Sequence, residues 1–193
     1  MTWSTPTRTY SSARSATLAS PYNLEIQTYG VTQEYPSAPD QDVRNASING
    51  LNQILADTIT LCDMYKKHHW QGLGPVYYPL HLLFDEQFAG QFELVEQIIE
   101  RIMDLGGSAA AMACDAAETT RIPRMPQGRD DPTTEISRLL RAHEIILDES
   151  RALARQASKQ GDDETHDLIV SGIISTNETQ QMLLYVYLAQ DNL

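Results

Sequence analysis

Three of the five histidines in this 193-residue chain, His68, His69 and His81, fall in one stretch from Lys66 to Arg101 that also carries carboxylates at helical spacing. His81 and Asp85 stand four residues apart, as do Glu96 and Glu100, so each pair shares a helix face about 6 Å along the axis. Eleven residues separate Asp85 from Glu96, three turns to within about 20°, which puts all four side chains on one stripe. These side-chain types bind divalent metals. The roughly 16 Å of rise between the two pairs is too long for one ion to be shared. Two copies of the helix packed antiparallel about a two-fold axis would set His81 and Asp85 of one chain opposite Glu96 and Glu100 of the other, giving two equal sites. The stripe's midpoint falls between Gly90 and Gln91, and Ala89–Gly90 offers small residues at which two backbones approach.

The elements that must position this stripe read as helices. Leu80, Leu83, Phe84, Phe88, Leu94, Val95, Ile98 and Ile99 keep the period of a long second helix starting near Tyr78 and ending at Leu105–Gly106–Gly107. Pro79 lies in its first turn, where a missing N–H costs nothing. A first helix, about Asp42 to His69, turns Ile48, Leu51, Leu55, Ile59 and Cys62 inward. It delivers His69 and Trp70 beside the second helix, across a break at Gly72–Leu73–Gly74–Pro75. Ser108 to Pro132 is a long connection, with a short helix at Ala109–Glu118 and a loop marked by Pro123, Pro126 and Gly128. A third helix runs from Pro132–Thr133 to about Lys159. After Gln160–Gly161 a fourth, capped by Asp162 or Asp163, carries Leu168, Ile169, Ile173, Ile174, Met182, Leu183 and Val186 to the end. The expected class is all-α, with residues 1–43 as an extended or disordered arm and 44–193 as a four-helix bundle.

The run His69–Trp70, a glycine-containing turn, His81, Asp85, Glu96 and Glu100–Arg101 resembles the signature of the Dps family, miniferritins named for DNA binding in starved cells. The likeness spans Arg44 to the C-terminus. It implies a ferritin-like four-helix bundle with a long crossover, containing a short helix, between helices 2 and 3. It also implies that His69, His81 and Asp85 of one subunit, with Glu96 and Glu100 of its two-fold partner, form an intersubunit di-iron ferroxidase centre. One position departs: many members carry Asp where this chain has Glu96, whose longer arm still reaches a metal. Trp70 would lie beside the metals, where an indole can give up an electron; core packing is the rival reading. Asp163 and Asp167, one turn apart, would lie near a three-fold pore that admits Fe2+, with helix capping as the rival for Asp163. His68 reads as a surface histidine or one just outside the ligand set, and His143 and His166 as structural or exposed.

Two imidazoles with three carboxylates make a mixed N/O donor set suited to Fe2+, with Zn2+ able to compete. Carboxylates also stabilise Fe3+ and bridge metals. A centre inside one bundle would need Glu-x-x-His motifs on facing helices, and the sequence contains none. By the resemblance the oxidant is chiefly hydrogen peroxide, with O2 as the alternative. Ferric iron then collects in a hollow homo-oligomeric shell, a dodecamer built from two-fold dimers. Iron storage and protection against oxidative stress become one activity, because removing Fe2+ and peroxide together prevents hydroxyl-radical formation.

A net charge of −12 and a pI near 4.7 speak for attraction of cations and against nucleic acid as a partner. The arm is rich in Ser, Thr and Pro, and its Trp3, Tyr10, Tyr22, Tyr29 and Tyr35 suit docking on a shell surface. Its Arg8 and Arg14, with Arg44 at its border, are matched by Glu25, Glu34, Asp40 and Asp42, so the arm lacks the basic footprint that neutralises phosphates. Cys62 and Cys114 make no C-x-x-C and read as small buried residues in a reducing cytosol. No apolar run reaches the roughly 18 residues of a membrane span, and no signal-peptide core opens the chain, so a cytoplasmic location is expected. Two other classes compete. One is a Dps shell that mainly protects DNA, which a basic arm would support. The other is a ferritin-like di-metal oxidase, which would call for an apolar pocket and in-bundle ligands.

Overall fold

The computed structural model describes residues 25–35, 39–72, 74 and 77–190, and within them every regular element is helical. In order these are α1 (Gln41–Gln71), α2 (Tyr77–Asp104), α3 (Ala113–Thr119), α4 (Pro132–Gln160), α5 (Asp163–Asp167), a π-helical turn (Leu168–Ile174) and α6 (Ser175–Gln190). The last three follow one another without a break and make the fourth long helix. The architecture is the four-helix bundle with one long crossover expected from the sequence, the short α3 lying between α2 and α4.

Local chemistry sets the ends. At α2 the N–H of Gly107 bonds to the Ile102 carbonyl and that of Gly106 to Met103, both at 2.9 Å, a Schellman stop that requires the positive φ of 81° at Gly106. Asp131 caps α4 by accepting from the Thr134 N–H at 3.0 Å, with Pro132 in the first turn. Gly161 closes α4 in the left-handed conformation, φ 71°. The cap of the fourth helix is Asp162, not Asp163. Its buried carboxylate accepts from Ser47 Oγ at 2.5 Å and Arg101 Nη2 at 2.6 Å as well as from Thr165 N. Burial pushes this carboxyl up, but those donors outweigh it and hold it below the ordinary value. One acid thereby ties α1, α2 and the fourth helix together.

The core is built from α1, α2, α4 and the fourth helix. Leu51, Leu55, Leu61, Phe84, Ile98, Ile102, Leu139, Ile146, Ile169 and Ile173 are all essentially inaccessible. Three expectations need correcting. The crossover helix starts at Ala113 rather than Ala109, because Asn52 holds the preceding segment extended: its Oδ1 accepts from Ala110 N at 2.9 Å. Cys62 is buried but Cys114 is exposed on α3. Met182, Leu183 and Val186 face outward, while Asn177, Gln180 and Leu184 take the inward positions of α6. Residues 25–35 lie against the bundle: Gln33 N donates to Gly106 O at 2.9 Å and Gln27 Nε2 to the same carbonyl at 2.9 Å. Gly106 is needed here too, since a Cβ would collide with the Gln33 carbonyl. Trp3, Tyr10 and Tyr22 of the arm, and Leu73 and Pro75 of the break before α2, lie outside the described residues.

The C-terminal end of α3 is pinned by buried Asp57. Its Oδ1 accepts from Arg121 N at 2.7 Å and Thr120 Oγ1 at 2.6 Å, and its Oδ2 from Gln53 Nε2 at 3.0 Å. Glu149 of α4 lies beside it. Burial first, then contact with the Asp57 carboxylate, pushes Glu149 up to about 8, against the pull of Arg121. The folded state therefore holds this proton more tightly than the unfolded chain, whose value is near 4.5. The contribution is present in full below that value and is lost as pH rises through about 8. Glu149→Gln removes the ionisation. The thermal midpoint of the variant, relative to wild type, is expected to rise as the buffer is taken from about pH 5 to about pH 8.

Candidate metal centre

The end of α1 and the start of α2 meet at the two histidines. The rings of His69 and His81 stack with centroids 3.7 Å apart and planes 19° from parallel. Each holds the other in place through the backbone: His69 Nδ1 lies 2.9 Å from His81 O, and His81 Nδ1 lies 2.9 Å from His69 O. A carbonyl only accepts, so Nδ1 is the protonated nitrogen in both rings and both Nε2 lone pairs are left for a metal. Metal-binding histidines commonly donate their second nitrogen to a carbonyl in this way. Tyr77 Oη, 3.1 Å from His81 Nδ1, supports the same ring.

Asp85 is one turn further along α2 and exposed, and its carboxylate is engaged by Lys66 Nζ at 2.5 Å. That hydrogen bond holds its carboxyl below the ordinary value, with the nearby His69 and His81 acting in the same direction. The Lys66 ammonium also lies 4.0 Å from the Phe88 ring centre. A lysine cation thus occupies the carboxylate nominated as a ligand. Glu96 and Glu100 are exposed further along the same face of α2. Among the described residues no three His, Cys, Asp or Glu side chains are gathered to hold a metal. Within one chain the structure brings His69 and His81 together, keeps Asp85 nearby and leaves the two glutamates apart, as the helical rise requires.

The stripe around these groups is apolar and open. Tyr78, Leu82, Phe92 and Met103 are each about half exposed or more, and Trp70 is 69 % exposed at the end of α1. A groove of about 840 Å3 runs between α1, α2 and the segment leading into α3, with Trp70, Phe88, Phe92, Val95 and Ile99 on its walls and Glu96 at its edge. Sequence reading missed this groove. It also misassigned Gly90, which faces into the bundle: a Cβ there would sit 2.9 Å from Gln180 Nε2. Gln91 is fully buried, so the outward residues at the stripe's midpoint are Ala89 and Phe92.

His68 is not on the surface. Only 1 % exposed, it points into the bundle with Nδ1 3.2 Å from Glu135 Oε1. Burial, then the charge of Lys67, lowers it to about 4, and burial, then Asp130, raises Glu135 to about 7. His143 is structural: fully buried, with Nε2 2.6 Å from Tyr65 Oη and Nδ1 2.7 Å from Asn177 Oδ1. Gln87, Gln91 and Gln180 complete this polar layer. A glutamine at an inward helical position was the one sequence sign of it. His166 is half-buried, and Asp163 and Asp167 are exposed on one face of α5, Asp167 accepting from Ser171 Oγ at 3.0 Å.

Comparison with known proteins agrees with this architecture. The family model described as a ferritin-like domain matches residues 48–193. An uncharacterised protein of Kitasatospora aureofaciens is 44 % identical over 72 % of this chain and 92 % of its own. A nutrient stress-induced DNA-binding protein of Nostoc sp. is 30 % identical over 87 % of this chain and 91 % of its own. Among solved structures, DpsC from Streptomyces coelicolor superposes with a TM-score of 0.84 at 41 % identity, covering 86 % of this chain and 96 % of that one. Fold and family model together define a ferritin-like protein. Within that class, the chain belongs to the Dps family.

If the donors on α1 and α2 bind metal, Lys66 competes for Asp85. Lys66→Met is expected to tighten Zn2+ or anaerobic Fe2+ binding several-fold in calorimetric titration, and Asp85→Asn to abolish that gain.

Proposed function

We propose that this protein is a miniferritin ferroxidase. It oxidises Fe2+, chiefly with hydrogen peroxide, at centres shared between two subunits, and stores the ferric product inside a dodecameric shell. The observation that carries this reading is the His69–His81 pair, with both Nε2 atoms free, on the same exposed stripe as Asp85, Glu96 and Glu100. An antiparallel partner would add its Glu96 and Glu100 to His69, His81 and Asp85, completing a mixed N/O set that suits iron and also accepts Zn2+. The half-exposed Leu82, Phe92 and Met103 and the neighbouring groove supply apolar area for that partner to cover. Trp70 would then stand at the edge of the centre as a sacrificial electron donor, and Asp163 and Asp167 would draw Fe2+ through a pore. The net charge of −12 favours cation entry.

Iron substrate, once bound, supplies electrons to the peroxide. The chain's own groups orient it: the backbone carbonyls fix the imidazoles, and the carboxylates neutralise the rising charge as Fe2+ becomes Fe3+. DNA protection is the second reading, favoured by the name of the Nostoc relative. The acidic composition opposes it, so any DNA binding is weak and vanishes with salt.

The test is anaerobic Fe2+ loading followed by hydrogen peroxide, with ferric absorbance as readout. Wild type is expected to oxidise iron far faster than buffer, and His81→Ala and Glu100→Ala to lose most of that rate. Shells co-assembled from the two mutants should regain activity, because random pairing leaves about a quarter of the sites intact. No recovery in verified mixed shells would refute the shared site.

A further inference from the structure

The chain is acidic, yet one cleft on its surface is lined with cations and no acid. It lies between the C-terminal half of α4 and the start of the fourth helix, with a volume of about 430 Å3. Arg151, Arg155 and Lys159 stand four residues apart on α4, so they form one stripe with about 6 Å of rise between neighbours. His166, Val170 and Ile174 make the facing wall. Asp and Glu number 26 in the chain against 14 Lys and Arg. Among the described residues none of those carboxylates lines this cleft, and Asp163 and Asp167, which flank His166 in sequence, stay outside it.

Arg151 has what the other two cations lack. Its Nη2 donates to Glu178 Oε1 at 2.8 Å at one end of the cleft. Arg155, Lys159 and His166 have no ion pair or side-chain hydrogen bond among the described residues. The two cations are exposed, His166 is half-buried, and Ser158 adds a hydroxyl to the same lining. Cations near a helix C-terminus complement its dipole, which accounts for Lys159 in the last turn of α4. That effect fades within one turn, so it leaves Arg155 and the concave shape unexplained. The fourth helix supplies the shape. Val170 and Ile174 belong to its π-helical turn, and such single-turn departures from α-helix are frequent at functional sites.

We propose that this cleft binds a phosphate group, carried by free inorganic phosphate or by a small phosphate monoester such as a nucleotide. The Arg155 guanidinium offers a planar fork that takes two phosphate oxygens at once, and the Lys159 ammonium acts as a point charge beside it. His166 and Ser158 bring hydrogen-bonding groups for the remaining oxygens. Ala154, Val170 and Ile174 give the organic part of a monoester an apolar surface to cover. A nucleic-acid duplex is a poor fit. It needs many phosphate contacts where this cleft has two unpaired cations, and the net charge of −12 repels a polyanion far more than a single phosphate. The site uses none of the donors on α1 and α2, so it stands or falls apart from the iron reading.

The test is equilibrium dialysis of the iron-free full chain against radiolabelled inorganic phosphate at low salt, with adenosine monophosphate as a second probe. Iron is removed because ferric ions bind phosphate themselves. Saturable binding of one phosphate per chain is expected, weakened several-fold by Arg155→Gln or Lys159→Gln and lost in the double variant. Arg141→Gln removes a cation of α4 that pairs with Glu144 outside the cleft, and it should leave binding unchanged. Equal affinity for the two probes supports the site as one for free phosphate. Tighter binding of the nucleotide, brought down to the phosphate level by Val170→Ser, supports it as one for a monoester. No saturable binding at millimolar phosphate or nucleotide overturns the proposal. So does undiminished binding in the double variant, an equal loss in Arg141→Gln, or retention of a short DNA duplex by protein that ignores both small probes. Should the double variant fail to fold, the two single variants decide.

Discussion

The reciprocal hydrogen bonds between His69 and His81 exist only because α1 ends where α2 begins. That meeting depends on the end of α1 before Gly72 and on the packing of the two helices against each other over the core. The core takes one face of α2, through Leu80, Phe84, Leu94, Ile98 and Ile102. Everything a metal would want lies on the opposite face. A helix cannot fold its own stripe back on itself, so donors roughly 16 Å apart, at about 1.5 Å of rise per residue, do not meet within one chain.

Behind the imidazoles the bundle is not wholly apolar. Tyr65, Gln87, Gln91, His143, Asn177 and Gln180 form a hydrogen-bonded layer across α1, α2, α4 and α6, in which Gln91 Oε1 alone has no partner among the described residues. Such a layer is costly when one member is unmatched, so it selects a single register for the helices that carry it. The π-helical turn at Leu168–Ile174 lies just before Asn177 in the same continuous helix. With Asn177 and Gln180 inward, Met182, Leu183 and Val186 are turned to the surface.

Electrostatics run through both regions. Lys66 neutralises Asp85 on the outer stripe, while His68 and Glu135 meet inside with little net charge because burial drives one toward its neutral base and the other toward its neutral acid. An acidic protein can therefore keep a lysine at its proposed metal centre without creating a cation-repelling interior.

The sequence by itself determined the four long helices, their ends within a few residues, the crossover and the spacing of His69, His81, Asp85, Glu96 and Glu100. Those features are local: helical period, capping chemistry and the fixed rise per residue read directly from residue order. Only the tertiary structure decided who stands opposite whom. It turned Gly90 toward Gln180, sent His68 inward to Glu135, gave Asp85 to Lys66 and joined Tyr65 to His143. Periodicity assigns a residue to a face of its own helix, but the partner across that face is fixed by the packing of elements up to 115 residues apart in the chain.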